Sequence, residues 1–165
     1  MTNSEGSWIS ATVDSFANAI NRESVSPGDL ATLRRYRPGD AGGAEFWKIA
    51  VQFMPEDRLP NSDDTEIRWA AIFSGMAASP NPKSRKRLGQ ALAEQDVTEH
   101  RVLRLLRASG EPLLRTVRTV VHQLTSNGAA FSWNDMAQII LSDGHPEWSR
   151  KIRRSIARDY YGNSR

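Results

Sequence analysis

The chain is predicted to be all-α, about nine helices packed as two helical lobes of one compact protein. Three observations predict it. Apolar residues recur at helical spacing almost throughout the 165 residues. Capping residues stand where those patterns begin. No segment alternates apolar and polar between hairpin turns, as a strand would. Apolar residues make up 39% of the chain, with five Trp and five Phe, which is enough core material for one domain or two small lobes.

Trp8, Ile9, Val13, Phe16 and Ile20 mark a first helix. In "VSPGDLATLRRY", Ser26 is the expected N-cap and Pro27 the first helical residue. "AEFWKIAVQF" is the third helix and "DTEIRWAAIFSGM" the fourth, with Asn61 to Asp64 supplying caps and negative charge at its start. "SPNPKS" breaks the pattern with two prolines and sets the lobe boundary, giving lobes of residues 1–79 and 80–165. "RKRLGQALAEQ" follows, then "TEHRVLRLLRAS" capped by Thr98. "GEPLLRTVRTVVHQL" carries Pro112 in its first turn. "SWNDMAQIILS" opens on a Ser132–Asp135 capping box, and "PEWSRKIRRSIARDYY" closes the chain.

Several function classes are excluded by what is missing. There is no Cys, which removes disulfides, thiolate zinc sites and thiol catalysis together. No apolar run approaches the roughly 18 residues a membrane span needs. The polar start "MTNSEGSW" does not resemble a secretory signal, and a cytoplasmic protein is expected. "PGDAGGAE" lacks the Lys-Ser/Thr ending of a phosphate-binding loop. His100, His122 and His145 lie far apart and form no metal-binding pair; His122 reads as a packed or boundary residue and His145 as exposed. Tyr160 and Tyr161 lack the His-x-x-Arg element of a tyrosine recombinase, because Leu103, Thr125 and Trp148 stand three residues after the histidines. "SDDTE" is explained by helix capping. No catalytic residue, metal site or cofactor is expected, and the chain is not read as an enzyme.

The basic residues point elsewhere. Net charge is only +3, but of the 22 basic residues all except Lys48, Lys83, Lys86 and Lys151 are Arg. The guanidinium fork suits phosphate, although a GC-rich genome would also favour Arg. Acids dominate from Asp40 to Arg68, and the balance reverses from Lys83 to Arg118. At about 100° per residue, Arg101, Arg104 and Arg107 share one side of a helix whose other side is Val102, Leu105 and Leu106. Arg115 and Arg118 flank the Leu113–Val117–Val120–Leu124 stripe. Arg150, Arg154 and Arg158 oppose Trp148, Ile152 and Ile156 in the last helix. Each row alone is what any amphipathic helix shows. Together with Lys83, Arg85, Lys86 and Arg87, and with few acids at i,i+4, they ask for an anionic partner.

Five segments in order are "LATLRRYRPGD", an aromatic-rich helix, "LGQALAEQDVTEHRVLRLLRAS", "LLRTVRTVVHQL" and "FSWNDMAQIIL". Over residues 24–161 they resemble the CasB family, the small subunit of the type I-E CRISPR surveillance complex, Cascade. The sharpest piece is Leu88, Gly89, Ala91, Leu92 and Ala93, followed by Glu99 and the run Arg104 to Ala108. The resemblance implies an all-helical, non-catalytic subunit, present as two copies beside the other Cascade subunits. It implies that basic surfaces hold the guide RNA–target DNA hybrid and the displaced strand, and that a separately recruited helicase-nuclease cuts. Arg34 and Arg35 match the family's Leu-Arg-Arg element, and Arg101, Arg104, Arg107 and Arg118 lie in its matching helices. Arg115, Lys83, Arg85, Lys86, Arg87, Arg150, Lys151, Arg153 and Arg154 are candidates on charge. Two alternatives stay open: arginine rows that meet an acidic protein surface, and a helix-turn-helix regulator in "FSWNDMAQIILSDGHPEWSRKIRR".

Overall fold

A computed structural model describes residues 3–164, with side chains from residue 6 onward. Among the described residues the chain forms α1 (Asn3–Asn21), α2 (Pro27–Arg34), α3 (Ala44–Phe53), a 3₁₀ turn (Glu56–Arg58), α4 (Asp63–Ala78), α5 (Leu88–Glu94), α6 (Glu99–Arg107), α7 (Gly110–Ser126), α8 (Trp133–Leu141) and α9 (Pro146–Asn163). No strand occurs among them, so the fold is all-α, as the periodicity predicts. The expected caps are in place. Ser26 Oγ accepts from Asp29 N (3.1 Å), Ser62 Oγ from Thr65 N (3.3 Å) and Thr98 Oγ1 from Arg101 N (3.3 Å).

The core begins where the stripes of α1, α3 and α4 meet. Phe73 is its centre, with ring centroids 5.0 Å from Phe16, 5.8 Å from Phe46 and 5.4 Å from Trp69. α4 then turns its other side to α7 and α8, where Leu113, Val117, Val120, Trp133, Met136 and Ile140 are buried. Gly75 makes that approach possible. A Cβ there would lie 2.2 Å from the Trp133 indole, whose Nε1 donates to Ser79 Oγ at 2.8 Å.

The short α5 lies directly on α9. The contact turns on Gly89: a Cβ at that position would fall 2.4 Å from the Ile156 carbonyl oxygen and 2.8 Å from Tyr160 N. Tyr160 is buried and donates to Val97 O (2.7 Å). α8 holds the start of α5 from the other side, through Ser132 N to Lys86 O (2.7 Å) and Leu88 N to Asp135 Oδ2 (2.9 Å). This corrects the expected capping box. Ser132 Oγ does accept from Asp135 N, but the Asp135 carboxylate caps α5 instead of its own helix.

Asp143, in the turn between α8 and α9, ties three distant segments together. Ser109 Oγ donates to it at 3.0 Å, Gly110 N at 2.8 Å and Arg68 Nη2 at 3.3 Å, and Arg153 Nη2 lies 3.7 Å away. Burial alone would raise its carboxyl, but the Gly110 N–H, the Ser109 hydroxyl and the Arg68 guanidinium hold it below the ordinary carboxylate value.

Candidate nucleic-acid interface

Burial of Val102 and Leu105 turns Arg101, Arg104 and Arg107 of α6 outward, as the helical spacing requires. Arg101 donates to the Gln123 side chain on α7, and Arg104 approaches His100 Nε2 at 3.5 Å. α9 runs antiparallel beside this helix. Arg153 Nη1 and Nη2 donate to Leu106 O (2.6 Å) and Ala108 O (2.9 Å), and at the other end Tyr161 donates to Glu99 (2.8 Å). Arg107 and Arg150 therefore line one shallow hollow. One turn further in the same direction stand Arg104 and Arg154, both exposed. No carboxylate pairs with Arg104, Arg107, Arg150, Lys151 or Arg154 among the described residues.

A second basic surface surrounds a groove between the end of α2, α4 and α7. Its rim carries Arg34, Arg37, Arg118 and His122, and among the described residues no acidic one lines it. Two of these guanidiniums are anchored by carbonyls. Arg34 Nε donates to Ala77 O (2.7 Å) and Arg118 Nη1 to Tyr36 O (3.0 Å). A guanidinium has five N–H donors, so each anchored fork keeps several for a ligand. Arg35 is exposed and donates to the Thr32 hydroxyl at 3.3 Å. Arg115 pairs with Glu111 one turn earlier, at 2.9 Å.

The cations of residues 83–87 divide. Lys83 and Arg85 are exposed and unpaired among the described residues. Lys86 bonds Glu94 and holds that carboxyl below its ordinary value. Arg87 fixes α5 to its neighbours, with its guanidinium 3.4 Å from Asp135, 3.1 Å from Asp159 and 2.8 Å from Ser155 Oγ.

The family model described as CRISPR-associated protein Cse2 matches residues 29–161. The chain belongs to the Cse2 family. That is the CasB family its motifs resemble, and it makes this chain a Cascade small subunit of CRISPR defence. The crystal structure of M. ruber CasB shares the fold, with a TM-score of 0.72 over 92% of this chain and 93% of that one, at 20% identity. No curated protein matches the chain. No helix among the described residues is long and apolar enough to cross a membrane.

In this Cse2-family chain several strongly basic positions have structural work. Arg153 is half-buried and clamps α6 to α9, while Arg150 and Arg154 beside it point to solvent. The wheel carries the hint, since Arg153 lies about 60° from buried Ile156. Arg87 is a clamp of the same kind. Conversely, Arg37 and His122 stand on the groove rim although neither belongs to an obvious row. His122 is exposed, four residues after Arg118 and so on the same side of α7.

Proposed function

We propose that this subunit holds the guide RNA–target DNA hybrid and the displaced strand by Arg and Lys contacts to phosphate, without catalysing a reaction. Two copies would act within the particle, beside its backbone and large subunits. The observation that carries the reading is the antiparallel α6–α9 face. Four exposed guanidiniums (Arg104, Arg107, Arg150 and Arg154) stand there without carboxylate partners among the described residues, in a chain of the Cse2 family. Base pairing with a guide reads sequence, so a subunit beside it needs backbone contacts and no base code. Arg suits this because its planar fork binds two phosphate oxygens at once.

The test is purification from native cells followed by ultraviolet crosslinking. The expected result is a large particle containing a short RNA, with crosslinks from α6 and α9 to guide or target strands. Crosslinks from those helices to protein alone would overturn the reading in favour of an acidic protein partner.

A further inference from the structure

The groove between α2, α4 and α7 has a feature that backbone binding does not use. Its floor is apolar, formed by Ala71, Gly75, Leu114, Val117 and Val121. Its rim is cationic, and its space, about 200 Å³, is smaller than the roughly 300 Å³ at which drug-sized pockets begin. A phosphate alone needs no apolar floor, and an alkyl chain alone needs no arginines. A nucleotide matches both parts. α7, which carries Arg118 and His122 of the groove, also carries Gln123, which accepts from Arg101 of the α6 row.

We infer that this groove receives one unstacked base of a bound single strand, with the flanking phosphates on Arg34, Arg37 and Arg118. The inference rests on the strand-binding reading above and adds a binding mode to it. The base lies over the α4–α7 floor, against the His122 ring and the Tyr36 edge of the turn. Arg34 and Arg118, anchored on Ala77 O and Tyr36 O, meet the phosphates with little side-chain freedom left to lose. Among the described residues no Asn or Gln lines the groove, and its arginines are taken up by phosphates in this mode, so the pocket accepts different bases. Sequence tolerance is what a subunit of a guided complex requires.

The test compares two strands of about 12 nucleotides, a span typical of single-strand sites, on the full-length protein. One is oligothymidylate and the other its abasic counterpart with the same phosphates. Wild type should bind oligothymidylate about tenfold more tightly, the lower part of what stacking one base contributes. Ser74→Trp fills the groove and should bring oligothymidylate down to the abasic level while leaving abasic binding unchanged. Thr125→Trp, at another lining residue of the groove, is read in its place if Ser74→Trp melts early. Strands carrying 4-thiothymidine should crosslink within residues 114–125.

Equal binding of both strands by wild type would overturn the base-in-groove inference and leave the backbone reading standing. Binding of neither strand at about 50 mM salt would remove both. A Glu-rich peptide that loses its binding in Ser74→Trp, while oligothymidylate keeps its own, would assign the groove to a protein partner and overturn the inference.

Discussion

Asp143 is only 8% exposed, and two guanidiniums, a hydroxyl and a backbone N–H converge on it. Removing one member of a fully buried ion pair costs about 3–5 kcal/mol, because the other charge is left without compensation. Here both arginines keep carbonyl partners, Arg68 on Ile140 O and Arg153 on Leu106 O and Ala108 O. Asp143→Asn should therefore cost less, about 2–3 kcal/mol in urea unfolding at neutral pH. The pH dependence follows from the sign of the shift. The folded carboxyl titrates below its unfolded value, so its contribution is complete above about pH 4 and is lost as pH falls through the folded value. The stability gap between wild type and Asp143→Asn should narrow below about pH 4, where the unfolded carboxyl takes up its proton first, and close as pH falls through the lower folded value. A gap constant down to pH about 2 would show that the charge contributes nothing.

Among the elements, the α5–α9 contact shows what a local reading reaches. Gly89 belongs to the motif most useful for recognising the family, and its role there is packing. The α9 backbone occupies the place of its side chain, with Ile156 O at 2.4 Å and Tyr160 N at 2.8 Å from a built Cβ. Ala is a better helix former than Gly by about 1 kcal/mol, so propensity alone would have Gly89→Ala stabilise α5. Overpacking against backbone opposes that gain, and we expect a net loss of about 1–3 kcal/mol, read as a lower thermal midpoint. Gly28→Ala is the control. Among the described residues no atom beyond its own helix backbone and chain neighbours would lie within 4 Å of a Cβ there, so it should be neutral or stabilise by up to about 1 kcal/mol. The helices themselves were legible because periodicity and caps are local: "AEFWKIAVQF" coincides with α3, and Ser26, Ser62 and Thr98 all cap where expected. What a wheel or a motif could not give depends on partners far along the chain. Asp135 caps a helix 47 residues away, and Arg153 reaches back 47 and 45 residues to the carbonyls of Leu106 in α6 and of Ala108, its C-cap. The same applies to the groove, where Arg34 and Arg118 meet only because α2 and α7 flank α4.

At the scale of the whole molecule, the arginines divide into clamps and exposed forks, and the two sets should separate stability from binding. Arg153→Ala removes two carbonyl bonds and the contact with Asp143, so it should lower stability by about 1–3 kcal/mol. The combined variant Arg107→Glu, Arg150→Glu, Arg154→Glu touches no such bond and should unfold within about 1 kcal/mol of wild type. Its effect belongs to salt dependence. For a single strand, log affinity falls against log salt with a slope of about −0.7 for each phosphate neutralised. If these three residues each neutralise one phosphate, their removal should make the slope shallower by about 2. Reversed charge also repels the strand, so affinity near 0.15 M salt should fall at least about 100-fold, a loss that shrinks as salt rises. The decisive quantity is the slope, because misfolding lowers affinity at every salt concentration without changing the number of ions released. An unchanged slope in a folded triple variant would place the strand elsewhere. The groove cations Arg34, Arg37 and Arg118 would then be the next set to reverse, since the base-in-groove mode gives them phosphates of their own.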